Sequence, residues 1–327
     1  MYRLKVHFLF LFSACALAAA ANGRMDIDPA DSSAGKMSIV IPALKDGDSC
    51  SAIIPFSRAG NLIVVKGKAD TTEGNFILDT GAPYLVLNLT YFRDYPTTLV
   101  TDADRTGVTG TTASLSQTSV NEFIFGNLHY YRMRADLTNL GHIENSRGIK
   151  ILGLLGMEMF RQCELIIDYE RNLIYIHRIA KKEAPLYKHE LLNDTAAYSS
   201  FPIDIMDNRI LAGAELAGKK LKFVIDCAAE SNVLDSRLPN KVFEQVIITR
   251  RVMLAGSGEK KVEALYGEVK KIRIGNRTVN NMPVLITNLE RTCFSYMGCV
   301  DGILGFDFLS MHRVGFNFVN RKMFIWK

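Results

Sequence analysis

The sequence predicts a mostly β protein built from two copies of one module, and three observations carry this. First, an apolar strand-like run ends twice in an aspartate and a turn of small residues. The copies are Phe76-Ile77-Leu78-Asp79-Thr80-Gly81-Ala82 and, 147 positions on, Phe223-Val224-Ile225-Asp226-Cys227-Ala228-Ala229. Second, the likeness continues at an offset of 149. Leu154-Leu155-Gly156 aligns with Ile303-Leu304-Gly305, Ile167-Asp168-Tyr169 with Phe316-Asn317-Phe318, and Phe125-Gly126-Asn127 with Ile274-Gly275-Asn276. A match sustained over several segments marks a duplicated module, and the change of offset falls where a loop insertion is harmless. Third, period-2 apolar runs are punctuated by Gly and Asn, with few long helical windows.

The elements follow in chain order. Arg3 and Lys5 precede the apolar stretch 8–17, and Ala18-Ala19-Ala20-Ala21 supplies small residues for cleavage. Residues 1–21 therefore read as an export signal, placing the mature chain in the periplasm or outside the cell. A second reading makes it a lipoprotein anchored through Cys15, against which the residues after Cys15 stay apolar. Residues 22–50 form an N-terminal segment, polar to 37, with Ser38-Ile39-Val40-Ile41-Pro42 as a strand joining the two halves. The first module spans 51–178. Within it, 61–88 read as two strands around Gly74-Asn75, the second ending at Asp79, and 115–125 as a strand closing on the Gly126-Asn127 hairpin turn. Residues 157–162 read as its one short helix. A linker, 179–200, is rich in Lys, Glu and Ala and contains Pro185. The second module spans 201–327, with the counterpart helix near Met311-His312.

Composition excludes several classes of function. Hydrophobic residues make up 48% of the 327, ample for two cores, and no apolar run after the leader is long enough to span a bilayer. The net charge of +5 includes Arg3 and Lys5, and the basic residues are scattered without a dense stripe, so nucleic acid is not an expected partner. The six histidines show no ligand spacing and the six cysteines form no CxxC, so no metal is expected.

The chemistry centres on the aspartates. A carboxylate beside a buried strand is costly unless it is hydrogen-bonded or working, and one per repeat suggests a site made by both halves. Asp-Thr-Gly-Ala after an apolar strand, with an apolar-apolar-Gly motif downstream, resembles the aspartic peptidases. The short lobes look most like the retropepsin-like aspartyl proteases exported by bacteria. The resemblance covers roughly 51–327, strong in the first half and weaker in the second, where Cys227 and Ala228 replace Thr or Ser and Gly. It implies two retropepsin-like (acid protease) β-barrel lobes fused as a pseudo-dimer, with a cleft between them. It implies that Asp79 and Asp226 form a catalytic dyad hydrolysing a peptide or protein substrate without a cofactor. Thr80, Gly81, Cys227 and Ala228 would support the dyad. In this family the hydroxyl after the aspartate bonds to the other lobe and the glycine lets backbone N–H groups approach the carboxylates.

Gly156 and Gly305 are read as structural glycines behind the turns. Gly107 and Gly110 in one lobe, and Gly256 and Gly258 at matched positions in the other, suggest mobile flaps over an extended peptide. Cys293 and Cys299 bracket a short loop and are the leading disulfide candidates, with Cys50 and Cys163 as a second pairing; sequence alone leaves connectivity open. Cys227 reads as a small side chain packed under its aspartate. The chain is expected to be a monomer. An alternative pairs lobe one with lobe one of a second chain. Two functions follow: an exported aspartic endopeptidase, or a pseudopeptidase that binds peptide or a partner without cutting.

Overall fold

The apolar runs before the two aspartates form the strands Thr72–Leu78 and Lys219–Ile225, and the last three residues of each are fully buried. Burial on both faces is what a continuous apolar run encodes. The computed structural model describes residues 6–7, 51–99, 106–107, 110–111, 116–255, 262–290 and 299–327. It builds the same frame around each run. Each aspartate strand pairs antiparallel with the strand before it, Leu62–Ala69 or Arg209–Leu216. On its other side it runs parallel to a short strand, with Phe76 opposite Gly153 and Phe223 opposite Gly302. That short strand pairs antiparallel with the second apolar run, Leu85–Asn88 or Val233–Asp235.

One sheet of eight strands and one of nine result; the ninth strand, Val6–His7 beside Leu254–Ala255, lies within the segment read as a leader and is not part of a processed lobe. Further pairings, Ser116–Phe125 with Leu62–Ala69 and Val262–Ile274 with Arg209–Leu216, curl each sheet back on itself into a barrel-like lobe. A third sheet of six strands belongs to both lobes, with Cys163–Asp168 and Val314–Asn317 antiparallel at its centre. There Leu165 pairs with Phe316 and Ile167 with Val314. These two pairs exchange under the 149-residue offset, which is the signature of a pseudo-two-fold axis. The protein is mostly β, with two barrel-like lobes related by the repeat. The core continues across the junction, where Tyr169 packs edge-to-face on Phe306 at 5.8 Å.

Several elements differ from the sequence reading. The turn between the first two lobe strands lies at Asp70, whose φ is 49°, while Gly74 and Asn75 sit inside the strand. Asp70 tolerates the left-handed conformation, and Tyr95 Oη donates to its carboxylate at 2.8 Å. Residues 157–160 form only a 3-10 turn, and two short helices, Leu89–Phe92 and Gly141–Arg147, join it in lobe one. The counterpart in lobe two is Phe306–Leu309, a few residues before Met311. The expected joining strand at 38–42 lies outside the described residues, and Ser51–Pro55 fills the edge of the shared sheet. The other edge is Tyr198–Pro202, which begins inside the expected linker. Cys163 is a buried free thiol, so the Cys50–Cys163 pairing is not found. Asp168 is more than a turn residue: its carboxylate accepts from Arg313 Nε at 2.8 Å, tying the lobes together.

Candidate active site

Each aspartate is delivered by its strand to a turn that the crossing short strand holds from behind. Asp79 N donates to Leu155 O and Asp226 N to Leu304 O, both at 3.0 Å. Just beyond, the chain passes the turn in backbone contact: Met157 N donates to Ala82 O at 2.8 Å and Phe306 N to Ala229 O at 2.7 Å. A Cβ on Gly156 would lie 2.0 Å from Tyr84 O, and one on Gly305 2.5 Å from Ala229 O. No other residue fits this approach.

The carboxylates are held alike. Asp79 Oδ1 accepts from Gly81 N and Ala82 N, both at 2.9 Å. Asp226 Oδ1 accepts from Ala228 N at 2.9 Å and Ala229 N at 3.1 Å. The second oxygen of each, Oδ2, is buried with no such donor, and the two side chains interact with each other. Gly81 is the point of closest approach: a Cβ there would come within 2.4 Å of Asp226 Oδ2. Burial raises the Asp79 pKa to about 6 against the pull of the Ala82 and Gly81 amides. Burial, and then the neighbouring Asp79, push Asp226 well above the usual carboxylate range. Like charges this close do not both ionise, so the pair retains a shared proton.

A reciprocal lattice locks the two turns together. Thr80 Oγ1 donates to Ile225 O at 3.1 Å and accepts from Cys227 N at 2.9 Å. Cys227 Sγ donates to Leu78 O at 3.2 Å and accepts from Thr80 N at 3.4 Å. Cys227 is therefore not merely packed beneath Asp226; its thiol makes the same cross-lobe bonds as the threonine hydroxyl. Burial pushes that thiol's pKa far up, which keeps it protonated and able to donate. Neither Gly81 nor Ala228 needs a positive φ, and the Ala228 Cβ joins the lobe-one cluster of Ile77, Ala82 and Leu154.

Other expected residues lie apart from the pair. Gly107 and Gly110 face each other in a two-stranded antiparallel piece, while Gly256, Gly258 and Cys293 lie outside the described residues. Two features were missed in reading the sequence. Arg147 of lobe one forms an ion pair with Glu230, four residues past Asp226. Arg209 is wholly buried at the start of its strand, close enough for its charge to act on both aspartates. Aligning the repeats, which sets Arg209 against Leu62, is the one signal that singles it out. Among the described residues no cluster of His, Cys, Asp and Glu is arranged to hold a metal ion, and no helix is long and apolar enough to cross a membrane.

Two β lobes, each contributing one aspartate to a paired site, define a two-lobed acid-protease architecture. Comparison with protein families agrees: residues 64–159 and 212–308 each match the aspartyl protease family. The matches cover more than half of the chain and one falls on each repeat, so the chain belongs to that family. A comparison with curated proteins finds no match.

Proposed function

We propose that the protein is an exported aspartic endopeptidase in which Asp79 and Asp226 activate water against a peptide bond. The observation that carries this is the reciprocal lattice of Thr80 and Cys227, which keeps the second turn in the geometry of the first despite its altered sequence. The family membership supports peptide hydrolysis in general, and the pair's burial supports a shared proton. The ionised member takes a proton from water as its oxygen bonds to the scissile carbonyl carbon, and the protonated member gives its proton to the carbonyl oxygen. As the intermediate collapses, the C–N bond breaks and a proton passes to the leaving nitrogen. A peptide lying extended in the cleft is the substrate, with the two-stranded piece carrying Gly107 and Gly110 as one flap and the matched positions Gly256 and Gly258 as the other. A leader at 1–21, a Cys293–Cys299 disulfide and a monomeric state complete the proposal, with lobes at 51–178 and 201–327 joined by 179–200.

The test is cleavage of a diverse peptide library from about pH 3 to 8 by the mature chain, beside Asp79→Asn and Asp226→Asn. Cleavage abolished by either substitution supports a single-chain pair. Loss in the Asp79 variant alone points to pairing between chains. No cleavage by folded wild type, with peptide still bound, leaves the binding-only reading.

A further inference from the structure

We propose that Arg209 is a positioning residue whose guanidinium is the counter-ion of the Asp79–Asp226 pair and holds it singly ionised. The inference rests on the reading of that pair as the working dyad. Its basis is an asymmetry between otherwise matched lobes. The strand Arg209–Leu216 pairs antiparallel with Lys219–Ile225, Ile210 opposite Ile225. One step further along this register, Arg209 stands opposite Asp226. In lobe one, Val64 pairs with Ile77, and the same register sets Leu62 opposite Asp79. Directly opposed residues share a face, with Cβ atoms about 5 Å apart. Leu62 and Arg209 are 3% and 0% exposed, so one buried position beside an aspartate is apolar in one lobe and cationic in the other.

A buried guanidinium is costly without a compensating anion. The charged and titratable groups acting on it include Asp207 in its own turn, Tyr84 in the loop after the lobe-one turn, and Asp79 and Asp226. Asp207 is exposed, and Arg209 Nη1 donates to its backbone oxygen at 3.4 Å. Tyr84 is itself covered by the Arg134 guanidinium, 3.8 Å from the ring centre. Cys227 and Tyr169 also neighbour Asp226, the latter under Arg58. The aspartates are the buried acids of this group, and with one proton between them they carry the single negative charge that matches one guanidinium. Burial lowers the Arg209 pKa to about 10, which leaves it charged wherever the pair titrates between pH 3 and 8.

A cation beside the pair opposes the proton that would neutralise it and favours release of the last one. Removing it moves both limbs of the pH profile of kcat/KM upward. Arg209→Leu, which installs the lobe-one residue, is expected to raise both limbs by about one pH unit, cutting cleavage on the acid side roughly tenfold. Arg209→Gln serves the same purpose if Arg209→Leu does not fold, and Arg209→Lys should keep the wild-type limbs. A uniform loss of rate with unmoved limbs would overturn the proposal in favour of a structural role. A loss confined to substrates with acidic side chains would overturn it in favour of a subsite. Titration of ¹³C-labelled aspartate carboxyls reads the same shift without cleavage. If the wild type cuts nothing yet this titration moves in the variant, the peptidase reading fails and the counter-ion stands. A wild-type pair found fully protonated at pH 7 overturns the counter-ion without any variant.

Discussion

Cys227 shows how little of a side chain a motif needs. The sulfur is larger and a weaker donor than a hydroxyl, yet it reaches Leu78 O at 3.2 Å and accepts from Thr80 N. Restoring the oxygen with Cys227→Thr should leave kcat within a few-fold of wild type. Cys227→Ala deletes one donor and one acceptor while leaving both partners buried. It should cost about 1–3 kcal/mol in urea unfolding and, by loosening the pair, up to roughly a hundredfold in kcat. If Cys227→Ala keeps full activity, the lattice does not position the pair. Asn88-Leu89-Thr90 matches a glycosylation pattern, but Asn88 is fully buried and its amide donates to Ile151 O at 2.9 Å, so no glycan can be attached in the folded state.

The element that decides the site is the short strand crossing behind each turn. Gly153–Leu155 and Gly302–Leu304 have three residues each, and the glycine that follows lets the backbone pass against the turn. A side chain at Gly156 meets Tyr84 O, and one at Gly305 meets Ala229 O, both backbone atoms with little room to yield. Gly156→Ala and Gly305→Ala should each destabilise by about 3 kcal/mol, checked by the urea midpoint at unchanged m-value. Wild-type midpoints would show that the crossing tolerates a shift. The strands of the duplicated frame were legible as buried apolar runs. The short helices Leu89–Phe92 and Gly141–Arg147 were not, because four to seven residues give no helical periodicity to read.

At the scale of the whole molecule, the two lobes meet through the shared sheet, the Thr80–Cys227 lattice and the ion pairs Arg147–Glu230 and Asp168–Arg313. The buried pair also couples folding to pH. The Asp79 pKa is about 6 in the folded chain against an ordinary 3.8, so the folded state keeps a proton that the unfolded chain has released. That contribution is full below 3.8 and is lost as pH rises through about 6. Relative to wild type, Asp79→Asn should therefore gain about 2 kcal/mol between pH 4 and pH 7, measured by urea unfolding at both. A constant difference across that range would mean that folding does not raise the Asp79 pKa.

The duplication, the β class and the two aspartate turns are legible in the chain because they depend on local pattern: apolar runs, small turn residues and a fixed repeat offset. The sequence carried the family resemblance for the same reason. Tertiary structure alone decided what the degenerate second turn does, since a thiol's worth depends on which carbonyl it reaches. It alone disclosed Arg209 beside the aspartates and Arg147 against Glu230, partners separated along the chain and brought together only by sheet register and the pseudo-two-fold. Charge compensation in a buried site is a property of three-dimensional neighbours, and no spacing in the chain encodes it.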